Sequence, residues 1–162
     1  MDMLILDMGS EVKGECSVPG YEGKTEVLSY SHGVAMPING DSSAPERTLG
    51  KPNFGDMTVT KYLDAASPVL NQACCEAKVF PQVDLVLGRS DGGQLSEMMR
   101  YTLSNVLISS ISIGGGGGGK PMETVTLNCS RIAWRYRQQS PDAGKAGVVV
   151  EGAWDLAKNA RK

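Results

Sequence analysis

The side chains that could do chemistry are few, and none falls in a recognised catalytic spacing. His32 is the single histidine among 162 residues, and no serine or cysteine lies beside it in an arrangement that would make a nucleophilic pair. Asp56 and Asp64 flank predicted elements, where turn and capping roles explain them. The sequence has no nucleophile elbow, zincin helix or metal-binding loop. We therefore predict no catalytic residue and no enzyme activity.

The four cysteines do not form a metal site. Cys16, Cys74, Cys75 and Cys129 lack the paired spacing of zinc ligands. Two of them are adjacent in sequence, and a disulfide between neighbours is strained. We interpret all four as reduced and mostly buried thiols, and we predict no metal and no cofactor.

A glycine-rich run at residues 114–119 resembles a phosphate-binding loop only superficially. A phosphate loop continues into a helix through a Lys-Ser or Lys-Thr pair, whereas Lys120 is followed by Pro121 and a predicted strand. We predict a flexible turn between two strands.

Charge and composition exclude several classes of protein. The chain has 16 basic and 18 acidic residues, with a formal net charge of -2, so it has no overall attraction for nucleic acid or anionic membranes. No segment is apolar enough to span a membrane. Residues 1–7 carry two acids, and the first base in the chain is Lys13, unlike a secretory signal. We therefore expect synthesis as a soluble cytoplasmic protein with one domain over residues 1–162.

Hydrophobic periodicity predicts a mainly β protein. Apolar residues alternate with polar or small ones in short runs bounded by turn formers, at residues 3–8, 25–34, 57–62, 79–88, 98–113, 123–137 and 148–156. One helix is predicted after the third strand, with Ser67 as its cap, Pro68 in its first turn and Leu70 on its apolar side. The predicted fold is a small antiparallel β-barrel of two sheets with one short α-helix.

Residues 37–55 form a connection that is too long and too rich in turn formers to be an ordinary loop. Ile38, Leu49 and Phe54 give it apolar side chains. We expect these three residues to dock on another surface, although a mobile loop is the alternative.

The strand predicted at residues 25–34 has two contrasting faces. Leu28, Tyr30, His32 and Val34 alternate with small residues, so the large side chains are predicted to face the barrel interior. The intervening Ser29 and Ser31 then lie on the opposite face, which is predicted to be exposed to water.

An ordered set of segments, spread over nearly the whole chain, is similar to the haemolysin-coregulated protein (Hcp) family of bacterial type VI secretion. The segments are Val12-Lys13-Gly14-Glu15, Val27-Leu28-Ser29-Tyr30-Ser31-His32-Gly33, Thr60-Lys61-Tyr62-Leu63-Asp64, Ser67-Pro68-Val69-Leu70, Tyr101-Thr102-Leu103, Val106-Leu107-Ile108-Ser109-Ser110-Ile111-Ser112, Glu123-Thr124-Val125-Thr126-Leu127-Asn128 and Trp134-Arg135-Tyr136.

The resemblance implies a subunit that assembles into hexameric rings, which stack into the inner tube of a contractile injection machine. It implies as partners other copies of this chain, type VI effectors, and the spike and sheath of the machine. The tube would be assembled in the cytoplasm and secreted without a cleaved signal peptide. No fused effector domain is expected at the carboxyl end. In this setting Ser29 and Ser31 would line the lumen, and Ile38, Leu49 and Phe54 would belong to a ring-stacking loop.

Two other classes of function remain open on sequence alone. A monomeric β-rich binding module would present a concave site. A secreted effector would need a catalytic constellation of its own. The mass of the protein in solution separates the tube subunit from both.

Overall fold

The computed structural model describes residues 2–39, 48–139 and 147–161. In these ranges the chain forms thirteen strands and one helix. The elements are β1 (Asp2–Asp7), β2 (Thr25–Val27), β3 (Ser29–Ser31), β4 (Val34–Ala35), β5 (Ile38–Asn39), β6 (Thr48–Leu49), β7 (Asn53–Phe54), β8 (Met57–Tyr62), α1 (Ser67–Cys75), β9 (Phe80–Asp91), β10 (Gln94–Gly114), β11 (Met122–Asn128), β12 (Arg131–Arg137) and β13 (Val149–Asp155).

Two antiparallel sheets share strand β10. The first sheet has the order β2-β1-β9-β10-β12-β13. The second has the order β3-β8-β11-β10. The prediction of a mainly β fold with two antiparallel sheets and one short helix is confirmed, although the ladder of paired strands does not close into a complete barrel within the described residues.

Strand β10 passes from one sheet to the other at Asn105. Before this residue Leu103 pairs with Ile132 of the first sheet, and after it Leu107 pairs with Asn128 of the second. Asn105 has a φ of 52°, a left-handed conformation that asparagine tolerates better than most residues. Its side-chain amide donates to the Ser130 hydroxyl at 3.0 Å. The corner therefore forms at a residue suited to it.

The hydrophobic core lies between the two sheets and beneath α1. Its fully buried members include Val59, Leu85, Val125 and Ile132, and α1 buries Leu70 and Ala73 on the core side. Within the part of the chain that the structure describes, no helix is long and apolar enough to cross a membrane.

The helix begins differently from the sequence prediction. Ala66, not Ser67, occupies the capping position, and no side chain caps the helix by hydrogen bonding. The Ser67 hydroxyl is buried and bonds to the Glu123 carboxylate instead. The prediction of Ser67 as the cap was wrong because sequence alone could not show this longer-range partner.

Two predicted strands are each divided. The strand predicted at residues 25–34 is broken into β2, β3 and β4, and the strand predicted at residues 123–137 is β11 and β12 joined by a turn. The break after Val27 puts Val27 inside and leaves Leu28 45% exposed. Val34 is also exposed, since it belongs to β4. The interior facing predicted for Leu28 and Val34 was therefore wrong.

The connection at residues 37–55 belongs to a two-stranded ribbon. Strand β4 pairs with β7, and β5 pairs with β6. We call residues 33–39 and 48–55 the arm; residues 40–47, which also belong to the predicted loop, lie outside the described residues. The described part of this connection is therefore more regular than its turn formers indicate, because two-residue strands are too short to recognise from sequence alternation.

The corner residue allows a test of the fold. Because a β-branched side chain is disfavoured at positive φ, we expect Asn105→Val to lower the free energy of unfolding by about 1–2 kcal/mol more than Asn105→Gly. Both variants lose the bond to Ser130, so their difference reports the backbone alone. Urea denaturation of the two proteins measures it. Equal stability would show that the corner does not depend on the left-handed conformation.

Candidate functional site

The outer surface of the second sheet is covered with hydroxyl groups. Across the four strands the paired residues form two rows, and every member is serine or threonine. One row is Ser29, Thr60, Thr124 and Ser112, and the other is Ser31, Thr58, Thr126 and Ser110. We call these eight residues the hydroxyl face. Its serines are exposed and its threonines are partly exposed.

Period-two alternation accounts for this face. In β8 and β11, Val59 and Val125 point to the core with no exposure, so the threonines on either side of each valine point outward. Tyr30 lies between Ser29 and Ser31 and packs against the core. The outward facing predicted for the two serines and the inward facing predicted for Tyr30 agree with this geometry.

The hydroxyls bond to one another across the strands. Ser29 bonds to Thr60, and Thr126 bonds to Ser110 at 2.6 Å. At the end of the face nearer the arm, Asp56 accepts hydrogen bonds from Ser109 at 2.6 Å and from Asn128 at 2.9 Å. Serine and threonine hydroxyls both donate and accept hydrogen bonds. The eight hydroxyl groups can therefore bind a layer of water although they carry no charge.

A buried ion pair lies directly beneath the hydroxyl face. The Lys61 ammonium is 2.6 Å from the Glu123 carboxylate, and both side chains have 0% exposure. Asp64, which is 11% exposed, lies 2.8 Å from the same ammonium. The Ser67 hydroxyl donates to Glu123 at 2.8 Å. These contacts join β8 and β11 to the start of α1.

Sequence reasoning missed this cluster, although a signal was present. Lys61 and Glu123 occupy inward positions in strands whose other inward residues are apolar, and the two are cross-strand partners. A charged residue at such a position needs an opposite partner. Asp64 has the predicted turn role, because its carboxylate accepts from the Ala66 N–H at 3.0 Å.

Aromatic rings hold the base of the arm. Phe54 stacks on Trp134 with ring centroids 6.3 Å apart and on His32 at 6.2 Å. Neither His32 nitrogen has a hydrogen-bond partner by distance and angle among the described residues. Burial lowers the pKa of His32, against a smaller opposite effect of the Gly55 backbone, and the ring is neutral at pH 7.

The three residues predicted for ring stacking have different surroundings. Ile38 is 55% exposed on the arm. Phe54 is half-buried and packs against the core of its own chain. Leu49 pairs with Ile38 through the backbone, and its side chain lies outside the description.

A concave surface lies on the outer side of the first sheet. It is an open groove of about 880 Å³ whose lining includes Arg100, Arg131, Arg135 and Arg161. Glu97 bonds to Arg100 at 3.0 Å and to Arg135 at 2.7 Å. Burial alone would raise the pKa of Glu97, but these hydrogen bonds outweigh it and hold that pKa below its ordinary value. Part of the groove's positive charge is therefore neutralised.

The cysteines differ in their exposure. Cys16 is buried, Cys74 and Cys129 are half-buried, and Cys75 is exposed. The expectation of mostly buried thiols was wrong, because only Cys16 is fully buried; Cys74 packs against the edge of the core, and Cys75 is exposed to solvent. Burial, and next the charge of Asp56, raises the pKa of Cys129 to about 11. The described ranges contain no group of three or more His, Cys, Asp or Glu side chains placed to hold a metal.

Comparisons with known proteins agree with the fold and the sequence pattern. The family described as type VI secretion system effector, Hcp, matches residues 5–136. Protein hcp1 of Pseudomonas aeruginosa is 34% identical over 150 residues, which are 92% of this chain and 92% of that protein. A solved type six secretion system protein superimposes with a TM-score of 0.91 at 26% identity, over 100% of both chains.

A tube-terminating cap of the anti-feeding prophage shares the fold, with a TM-score of 0.54 at 10% identity over 82% of this chain and 87% of that one. One match has a different name: a protein of Hydrogenovibrio crunogenus called small ribosomal subunit protein uS7 is 30% identical over 119 residues, 70% of this chain and 76% of that protein. A net charge of -2 gives no support for binding ribosomal RNA.

Together, the two-sheet fold and these matches define a tube protein of a contractile secretion machine. The chain belongs to the Hcp family of the type VI secretion system. The family resemblance drawn from the sequence is confirmed.

The ion pair beneath the hydroxyl face makes a prediction about stability. In Lys61→Met the Glu123 carboxylate stays buried without its cation, so we expect the free energy of unfolding to fall by about 3–5 kcal/mol. In Lys61→Met/Glu123→Leu neither charge of the buried pair remains, and Asp64, which is partly exposed, keeps its bond from the Ala66 N–H, so most of that loss should be recovered. Urea denaturation at one protein concentration measures both variants. A double variant as unstable as the single one would contradict this account.

Proposed function

We propose that the protein forms rings of six subunits in which the hydroxyl face lines the lumen, and that the rings stack into the tube. The tube is assembled in the cytoplasm and leaves the cell without a cleaved signal peptide. It carries effectors in its lumen and contacts the spike and sheath of the machine. The proposal gives the protein no catalytic role and no cofactor.

The hydroxyl face is the observation that carries the proposal. A channel wall must stay wetted and must not hold a passing protein too tightly. Serine and threonine hydroxyls meet both needs, since they bond to water or to a guest without the long-range attraction of charges. Cyclic symmetry would repeat the two rows of hydroxyls around one channel.

Unpaired strand edges support lateral association into a ring. Among the described residues β3 pairs only with β8, and β13 pairs only with β12. Strand β13 begins at Val149 and Val150, directly after Val148, and these three side chains are 45–62% exposed. Exposed edges of this kind promote uncontrolled pairing unless a neighbour covers them. Closure into a ring would cover them in every subunit.

The alternative of a monomeric binding module rests on the arginine-lined groove. The groove is open to solvent. Arg100 forms ion pairs with Asp84 and with Glu97. Glu97 also forms an ion pair with Arg135. Since these carboxylates already occupy two of its cations, the groove is a weaker indication of function than the hydroxyl face. A secreted effector with its own activity has no supporting constellation in the described residues.

The number of subunits is the first test. We expect the purified protein at micromolar concentration to give a native mass six times that of the 17.2 kDa chain, with no added metal, cofactor or nucleic acid. Native mass spectrometry measures it. A strictly monomeric species would contradict the ring.

Ser31 provides the test of the lumen. Ser31 is exposed on the hydroxyl face, so we expect Ser31→Arg to leave rings intact while its length and charge obstruct at least one guest. The measurement compares ring mass with the proteins that co-purify with the rings from the producing cell. Ser10→Arg, at an exposed turn away from the face, is the control.

Two results would contradict the Ser31 prediction. Loss of the ring would place Ser31 in a subunit interface, and an unchanged set of co-purifying proteins would show that cargo does not contact this face.

A further inference from the structure

His32 lies at the base of the arm, and its two ring nitrogens bond to no described residue. Both nitrogens are buried, and neither has a hydrogen-bond partner by distance and angle in the described ranges. A buried polar group without a partner costs stability, and native structures contain few of them. An apolar ring would occupy the same space without that cost. Packing alone therefore does not account for a histidine at this position.

Three aromatic rings surround the imidazole. Its centroid lies 6.2 Å from the ring centroids of Phe54 and Tyr101 and 6.4 Å from that of Trp134. Phe54 belongs to β7 in the arm, whereas Tyr101 belongs to β10 and Trp134 to β12. The imidazole is therefore in contact with both the arm and the first sheet.

The attachment of the arm depends on the residues next to His32. The Gly55 N–H donates to the Gly33 carbonyl at 3.0 Å, which joins the two chains of the arm at its base. Among the arm side chains that the structure describes, Phe54 alone packs against the core. A change at His32 therefore acts directly on the one arm side chain that holds the described part of the arm to the core.

We propose that His32 is an acid-sensitive switch: when its imidazole takes up a proton from solvent, the arm detaches from the first sheet of its own subunit. The proton adds an N–H donor and a positive charge at a buried position that offers no acceptor among the described residues. The charged ring regains its solvation only by moving into water. Phe54, which stacks on it, loses that contact, and the arm opens.

The direction of the pH effect follows from burial. Burial lowers the pKa of His32 below its ordinary value, against a smaller opposite effect of the Gly55 backbone. When the arm is detached, the ring is in water and has its ordinary pKa. A proton therefore favours the detached form. The attached form is most stable above about pH 6.5 and loses stability as the pH falls below that value.

Two titratable groups that face His32 stay neutral between pH 5 and pH 7. Burial, and next the hydrogen bond with Tyr30, raises the pKa of Tyr101, and the two tyrosine hydroxyls lie 3.2 Å apart. Cys129 lines the same small cavity as His32. Burial, and next the charge of Asp56, raises the pKa of Cys129 to about 11. Neither group supplies a negative charge to a protonated His32.

Asp56 is the acidic side chain that lines this cavity. One of its carboxylate oxygens accepts a hydrogen bond from Ser109, and the other accepts one from Asn128. These contacts direct the carboxylate to β10 and β11 of the second sheet. Because Asp56 is the nearby acid, its variant is the matched control for the histidine.

Hydrogen exchange measures the attachment of the arm in the unaltered protein. We expect the protection of amides in residues 33–39 and 48–55 to fall about five-fold or more between pH 7.0 and pH 5.5, after correction for the pH dependence of chemical exchange. Amides of β8 and β11 should keep their protection, because these core strands do not open. A change of less than about two-fold in the arm, or an equal loss in β8 and β11, would overturn the switch.

Two variants assign the response to a side chain. His32→Phe keeps an aromatic ring in the stack and removes the titrating group, so its arm should have the same protection at both pH values. Asp56→Asn should respond to pH as the unaltered protein does. Loss of protection in His32→Phe, or no response in Asp56→Asn, would assign the pH effect to another group and overturn the proposal.

A titration of the histidine itself does not require either variant to fold. His32 is the single histidine of the chain, so isotope-labelled histidine gives one ring signal in the NMR spectrum of the unaltered protein. We expect this signal to titrate with a midpoint below about pH 6.5, over the range in which the arm loses protection. A midpoint above that value would show that protonated His32 is stabilised where it lies, and would overturn the proposal.

Discussion

The continuity of β10 is the constraint on which the rest of the structure depends. A single strand of 21 residues belongs to both sheets, so each sheet fixes the position of the other through one unbroken backbone. The corner at Asn105 sets the angle between them and thereby the space that the core fills. Pairing of β10 with β9, β12 and β11 along its length also joins three parts of the chain that are distant in sequence.

A polar outer face and a buried charge meet across the same two strands. Strands β8 and β11 present threonines outward, and inward they present valines together with the Lys61–Glu123 pair. Replacing a buried pair with apolar residues is often neutral or stabilising, so stability alone does not explain its presence. The pair links the sheet that carries the hydroxyl face to the start of α1, which gives the face a fixed support on its core side.

Sequence analysis predicted what depends on local period and on family pattern. The β class and the outward facing of Ser29 and Ser31 follow from alternation over a few residues, and the single helix follows from apolar residues at helical spacing after Pro68. The break after Val27 and the hydrogen bond from Ser67 to Glu123 could not be predicted from local sequence. Both depend on partners that are far away along the chain. Pairing of the arm was missed for a related reason, since two-residue strands carry too little periodicity. The role of the hydroxyl face and of the arm remains a prediction.

The aromatic stack at the base of the arm has a mechanical consequence. Phe54 lies against Trp134 of β12, so a force applied to the arm is passed into the first sheet through close-packed side chains. Aromatic rings in a packed interior resist compression. In the proposed tube, a force on the arm would therefore reach the whole first sheet instead of bending the arm at its root.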